Sequence, residues 1–169
     1  IDPERIAIDP GLPKNKHMRW AALLRHQTPE EAVAILRQLK LDNDTINRVK
    51  TLVQWWKRPV GADQTQIRRT MSQMAPELYD DLLVLKTSVG ELELQAEGCV
   101  EDLDWVKAQT GEIRQRGDCV SLKELAVTGA DLIQAGMKPG KELGETLKRL
   151  LELVLEHPEW NTKEILKKV

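Results

Sequence analysis

Apolar residues return every three or four positions along most of this chain, the period of helices that bury one face. A first helix is predicted from about Lys16 to Arg25. Thr28-Pro29-Glu30-Glu31 is a capping box with proline in the first turn, and its helix places Ala32, Ile35, Leu36 and Leu39 inward. Asp42 or Asn43 caps the next helix, whose stripe is Ile46, Val49, Val53 and Trp56, and Pro59 and Gly61 stop it. Ile67, Met71 and Met74 form a further stripe. Pro76 opens a helix with Leu78, Leu82 and Leu85 inward, and Gly90 reads as a break. The longest predicted helix runs from about Glu91 to Arg116. Its positions Leu92, Ala96, Cys99, Leu103, Val106, Thr110 and Ile113 make a narrow seam suited to a partner helix. Gly98 within it costs about 1 kcal/mol against alanine, which points to close packing there.

Gly117-Asp118 marks a boundary. Beyond it, Ser121-x-x-Glu124 and Asn161-x-x-Glu164 have capping-box spacing, and Thr128 to Asp131 caps a short helix. Leu143, Leu147, Leu150 and Val154 line the inner face of a long helix that His157-Pro158 ends. The expected fold is all-α, with about nine helices and no sheet of more than two short strands. Residues 1–15, with Pro3, Pro10, Gly11 and Pro13, read as a loop or severed connection. A helical body spans 16–89, a long connecting helix 90–116, and a helical tail subdomain 117–169.

Composition agrees: leucine is the commonest residue, phenylalanine is absent, and 41% of residues are apolar. A formal net charge of −2 argues against a globally basic nucleic-acid binder, so any RNA contact must use a local patch. Two cysteines, Cys99 and Cys119, imply reduced thiols rather than a disulfide framework and favour a cytoplasmic protein. No run approaches the roughly 20 apolar residues of a membrane span.

The tail carries the most pointed chemistry. Gly136 suits the left-handed residue that ends a helix, and Pro139-Gly140 opens the next one, with Lys138 and Lys141 beside its positive end. Free N–H groups, a favourable dipole and nearby lysines make an anion site, and the anion expected is a nucleic-acid phosphate. The candidate RNA-binding set is Lys123, Gly136, Lys138, Pro139, Gly140 and Lys141.

The run LKELAVTGADLIQAGMKPGKELGETLKRLLELVLEHPEWNTKEIL resembles the C-terminal tail of class II tRNA nucleotidyltransferases, the CCA-adding enzymes and their poly(A) polymerase relatives. MRWAALLRH and ILRQLKLDNDTINRVKTLV resemble that family's helical neck and body. The resemblance implies a transferase that adds CMP and AMP to tRNA 3′ ends with Mg²⁺, using CTP and ATP in a catalytic head, while the tail holds the backbone of the tRNA elbow. The head's Gly-Gly-x-x-Arg turn and paired aspartates have no counterpart here, and the chain contains no Gly-Gly pair. It therefore reads as the tRNA-binding C-terminal part of a longer enzyme, doing no chemistry by itself and needing no cofactor of its own. The family often carries asparagine where Thr128 stands.

Other candidates have plainer readings. Asp102-Leu103-Asp104 lies in a predicted helix, where residues two apart diverge by roughly 200° and do not share a metal. Asp42-Asn43-Asp44 reads as a cap. Ala22-Leu23-Leu24-Arg25-His26 aligns with a His-Asp metal helix but replaces both ligands. His17, His26 and His157 are dispersed. Trp20 and Trp56 fall on apolar stripes, while Trp55 and Trp160 are freer to stack on bases and Trp105 is a fifth ring. Lys57-Arg58 and Arg68-Arg69, with Arg114 and Arg116, read either as solvated faces or as an RNA path. Two rival functions stay open: a generic helix-hairpin-helix module that binds duplex DNA, and a structural domain that dimerises through the 91–116 seam.

Overall fold

The computed structural model describes residues 15–89, 94 and 101–168. Among these residues the secondary structure is entirely helical, so the fold is all-α. The expected loop over the first residues, the break at Gly90, and Leu92, Ala96, Gly98 and Cys99 lie outside the described residues.

Nine α-helices are described: α1 Lys16–Leu24, α2 Pro29–Gln38, α3 Asn43–Trp55, α4 Gln64–Ser72, α5 Pro76–Val89, α6 Leu103–Arg116, α7 Gly129–Gln134, α8 Lys141–Glu156 and α9 Lys163–Lys168. One-turn 3₁₀ helices occupy Leu122–Glu124 and Pro158–Trp160. The chain divides into two compact units, 1–62 with 74–107, and 63–73 with 108–169. The division thus departs from sequence order, because α4 belongs with the C-terminal residues.

In the N-terminal unit α3 packs on α1 and α2, and α5 packs on α1 and α3. The core is built from Met18, Ala21, Leu36, Val49, Leu52, Trp56, Leu82 and Leu85, with smaller contributions around them. Local chemistry fixes the ends. Thr28 and Glu31 form the expected reciprocal capping box, with Glu31 N–H donating to Thr28 Oγ1 at 3.2 Å and Thr28 N–H to Glu31 Oε2 at 3.0 Å. Asp42 caps α3 by accepting Thr45 N–H at 2.9 Å. That N–H, with the Thr45 hydroxyl and Lys16, holds the Asp42 carboxyl well below the usual carboxylate range. Leu39 departs from its stripe: it follows the last turn of α2 and is half exposed.

A buried ion pair closes this unit. Lys86 is fully buried, and its Nζ donates to the Arg58 carbonyl at 2.5 Å and to Glu101 Oε2 at 3.2 Å. The other Glu101 oxygen accepts the N–H groups of Val60 at 2.6 Å and Gly61 at 3.1 Å. A carboxylate and a lysine so satisfy the backbone of the turn after α3.

The expected unbroken helix over 91–116 is corrected at Glu101 and Asp102, which are not helical. Asp102 Oδ1 accepts Trp105 N–H at 3.0 Å and so starts α6 afresh. Asp102 and Asp104 are therefore a cap and a first-turn acid, not a metal pair. Leu103, Val106, Thr110 and Ile113 are buried, so this half of the seam packs within the chain.

In the C-terminal unit α8 packs on α4 and α7. Its core joins Cys119, Leu125, Val127, Leu132, Leu150, Val154 and Leu166, with Met137, Leu143 and Leu147 packed against them. Two capping expectations need correction. Asn161 does not cap α9: its Oδ1 accepts Ala126 N–H at 2.8 Å and its Nδ2 donates to the Glu124 carbonyl at 3.0 Å, pinning the 122–126 segment. Thr162 takes the capping place, accepting Ile165 N–H at 3.3 Å. Ser121 makes no side-chain cap, although Glu124 accepts Val120 N–H at 2.7 Å.

Candidate nucleic-acid interface

The tail hairpin is assembled from short-range rules. Thr128 and Asp131 form a reciprocal capping box at the start of α7, with Thr128 N–H donating to Asp131 Oδ2 at 2.9 Å and Asp131 N–H to Thr128 Oγ1 at 3.3 Å. The Thr128 N–H and hydroxyl lower the Asp131 pKa. Threonine thus fills the cap here. At the other end of α7, Gly136 N–H donates to the Ile133 carbonyl at 3.0 Å and Met137 N–H to the Leu132 carbonyl at 3.1 Å. With φ +105° at Gly136, this is a Schellman closure, and Met137 supplies its apolar contact to the core.

Gly140 then precedes α8 with φ +153° and ψ −163°, and no side chain caps the helix. The first-turn N–H groups of α8 are left without a side-chain acceptor. A Cβ built on Gly140 meets no atom within 4 Å, so the glycine is required by backbone conformation rather than by packing. Lys138, Pro139, Gly140 and Lys141 are all exposed. Lys141 Nζ lies 3.9 Å from Glu145, with 91% of its side chain exposed. Glu142 in the first turn offsets part of the positive end. Lys123 stands on a different element, the 3₁₀ turn Leu122–Glu124, and is exposed.

The other basic candidates scatter. Lys57 lies over the Trp56 ring at 5.4 Å and Arg58 over Trp55 at 5.2 Å, so these cations are engaged by indole faces. Trp56 is fully buried, with its Nε1–H donating to the Arg25 carbonyl at 2.5 Å. Trp20 packs against the same core, and Trp160 stacks on His157 with ring centres 4.0 Å apart. Trp105 is partly exposed. Arg68 is neither solvated nor available to RNA. It is buried, donating from Nε to the Leu155 carbonyl at 2.7 Å, from Nη2 to Thr65 at 3.2 Å and from Nη1 to Asp118 at 3.5 Å. Burial lowers its pKa while Asp118 opposes that shift. Arg69 is paired with Glu152 and Glu156. Arg116 binds Asp118, its Nη2 at 2.8 Å from Oδ2.

Sequence reading missed this arginine–carboxylate network because Arg68 and Asp118 are 50 residues apart and Arg68 resembles half of a surface basic pair. The one local signal was its place beside Ile67 in a helix whose apolar stripe is sparse. His26 sits edge-on to Trp56 and Arg25 donates to the Ala22 carbonyl at 2.5 Å, so the departure from a His-Asp metal helix has a structural use. Among the described residues no group of three His, Cys, Asp or Glu could hold a metal ion, and no helix is long and apolar enough to cross a membrane.

Residues 13–169 match the family model for tRNA nucleotidyltransferase domain 2. No match was found among curated proteins or among solved structures. With the all-α architecture, the tail motif and a family match over nearly the whole length, this chain belongs to the tRNA nucleotidyltransferase domain 2 family, as a body-and-tail region.

Proposed function

We propose that this chain binds tRNA for a nucleotidyltransferase, gripping backbone phosphates of the tRNA elbow at the start of α8. The observation that carries this reading is the uncapped N-terminus of a 16-residue helix, set behind a Schellman turn and flanked by exposed Lys138 and Lys141. Family membership supplies tRNA as the nucleic acid. The physical logic favours phosphate over base contact. Elbow backbone geometry is shared by tRNAs of different sequence, so a backbone grip holds them all alike. In this reading CMP and AMP addition, with Mg²⁺, CTP and ATP, belongs to the catalytic head that the family resemblance implies, and the chain acts in the cytoplasm.

The test is tRNA affinity at two salt concentrations for the wild type, Lys138→Ala and Lys148→Ala, with duplex DNA as competitor. A charged hydrogen bond is worth about 1.5–3 kcal/mol, so Lys138→Ala should weaken binding on the order of tenfold. The salt slope should shrink by about one. Lys148, exposed further along α8, serves as the control. If Lys138→Ala binds like wild type while Lys148→Ala weakens, the grip at the helix start is wrong. Equal affinity for duplex DNA would favour a generic helix-hairpin-helix module.

A further inference from the structure

The C-terminal unit holds a second polar surface, to which none of the hairpin residues contributes. It is a crevice of about 760 Å³ whose walls include Gln64, Arg68, Arg116, Asp118, Pro158 and Asn161. Arg116 is the informative group. Its side chain is 48% exposed, yet its guanidinium is fixed. Nε lies 3.4 Å from Asp118 Oδ1, and Nη2 donates to Asp118 Oδ2 at 2.8 Å and to Gln64 Oε1 at 2.7 Å. Gln64 is held in turn, its Nε2 donating to Gln109 at 2.6 Å and to Glu112 at 3.1 Å. These bonds use Nε–H and both N–H groups of Nη2. The two N–H groups of Nη1 make no hydrogen bond among the described residues.

An arginine on a surface ordinarily gives up side-chain entropy when it grips a ligand. Here that cost is met in advance by a buried carboxylate and an anchored amide, leaving the N–H groups of Nη1 ready to donate. Two arginines, Arg68 and Arg116, share the carboxylate of Asp118. Further carboxylates act on the pair, Glu112 on Arg116 and Asp63 and Glu159 on Arg68, so the unused N–H groups of Nη1, not a net positive charge, are what favour an anion here. Glu159, which borders the crevice, is 68% exposed and lies 3.4 Å from His157 Nδ1.

We propose that this crevice is a second phosphate site, in which Nη1 of Arg116 binds a backbone phosphate of the RNA held by this chain. The site rests on the tRNA-binding reading above. Its chemistry, donation to a phosphate oxyanion, would suit a free phosphate or nucleotide too, so the test separates the two sources.

The experiment measures tRNA affinity of the full 169-residue chain at two salt concentrations for wild type, Arg116→Gln, Arg116→Lys, Glu159→Gln and Lys148→Gln. Inorganic phosphate and ATP are titrated separately, with the thermal midpoint as readout. Arg116→Gln should weaken tRNA binding on the order of tenfold and reduce the salt slope by about one. Arg116→Lys, which keeps the charge but loses the fork, should recover only part of the affinity. Glu159→Gln should tighten binding, an effect loss of folding cannot mimic. Arg116→Gln and Lys148→Gln behaving alike, with Glu159→Gln unchanged, would overturn the site while leaving the hairpin reading intact. A phosphate- or ATP-induced shift that needs Arg116, with tRNA affinity indifferent to it, would overturn RNA as the ligand. A wild-type chain that binds no tRNA would overturn the functional reading itself.

Discussion

Among the described residues each unit of this molecule buries one long cationic side chain, and the two do it differently. In the N-terminal unit Lys86 is a point charge sealed against one carboxylate and one carbonyl, and the other oxygen of Glu101 is used on the neighbouring turn. In the C-terminal unit Arg68 is a fork. It reaches Leu155, Thr65 and Asp118, and Asp118 is shared with Arg116, which reaches the surface. A lysine pair closes a network, whereas an arginine pair lets it branch. The first arrangement is closed on itself, whereas the second couples the interior of its unit to a polar face.

Lys86→Met breaks this comparison most severely. It strands Glu101 as an uncompensated buried carboxylate, and unfolding by urea should show a loss of about 3–5 kcal/mol, with the lower value favoured by the two backbone donors that remain. A loss below 1 kcal/mol would mean that the pair is dispensable and that hydrophobic packing alone seals this unit.

Arg68→Met should cost less, about 2–3 kcal/mol by the same measurement, because Asp118 keeps Arg116 when Arg68 is gone. The Leu155 carbonyl, near the C-terminus of α8, loses its donor. A cost equal to or above that of Lys86→Met would show that sharing the carboxylate gives no relief.

The smallest effect concerns pH, and there the units should agree. Asp42 in one and Asp131 in the other are helix caps whose pKa values are lowered, chiefly by the backbone N–H groups of Thr45 and Thr128. A carboxyl depressed in the folded state contributes stability above its unfolded value of about 4, and that contribution is lost as pH falls through the folded value. Asp42→Asn and Asp131→Asn should each show a stability deficit that is constant from pH 7 to 5 and narrows below pH 4. A deficit that stays the same down to pH 2 would mean that charge plays no part in either cap.

What the sequence disclosed follows from range. Thr28 with Glu31, Asp42 with Thr45, Thr128 with Asp131 and the Gly136 closure involve groups within a few residues, so spacing alone locates them. The stripes of Val49, Trp56, Leu82 and Leu150 were equally legible, because burial of one face imposes a period. Arg68 and Lys86 were not, because their partners lie elsewhere in the chain and a basic residue in a helix ordinarily faces water. Asn161 misled for the same reason: its spacing to Glu164 is that of a cap, but the backbone of Ala126 competes for its side chain and wins. The restart of the helix at Asp102 was hidden by apolar spacing that continues across it. Of the candidate site, the hairpin backbone was readable and the Arg116 crevice was not.

The placement of α4 with the C-terminal residues has a consequence for synthesis. Arg68 leaves the ribosome 87 residues before the carbonyl it binds at Leu155. At roughly 5–20 residues per second that is an interval of about 4–17 s. Throughout it α4, which packs on α8 in the finished fold, lacks that partner. A nascent chain therefore carries an unpartnered α4 until α8 emerges, and one terminated before α8 carries it permanently. Completeness of translation is written into this segment as a condition for hiding it, so truncated products should be marked for capture by chaperones or proteases.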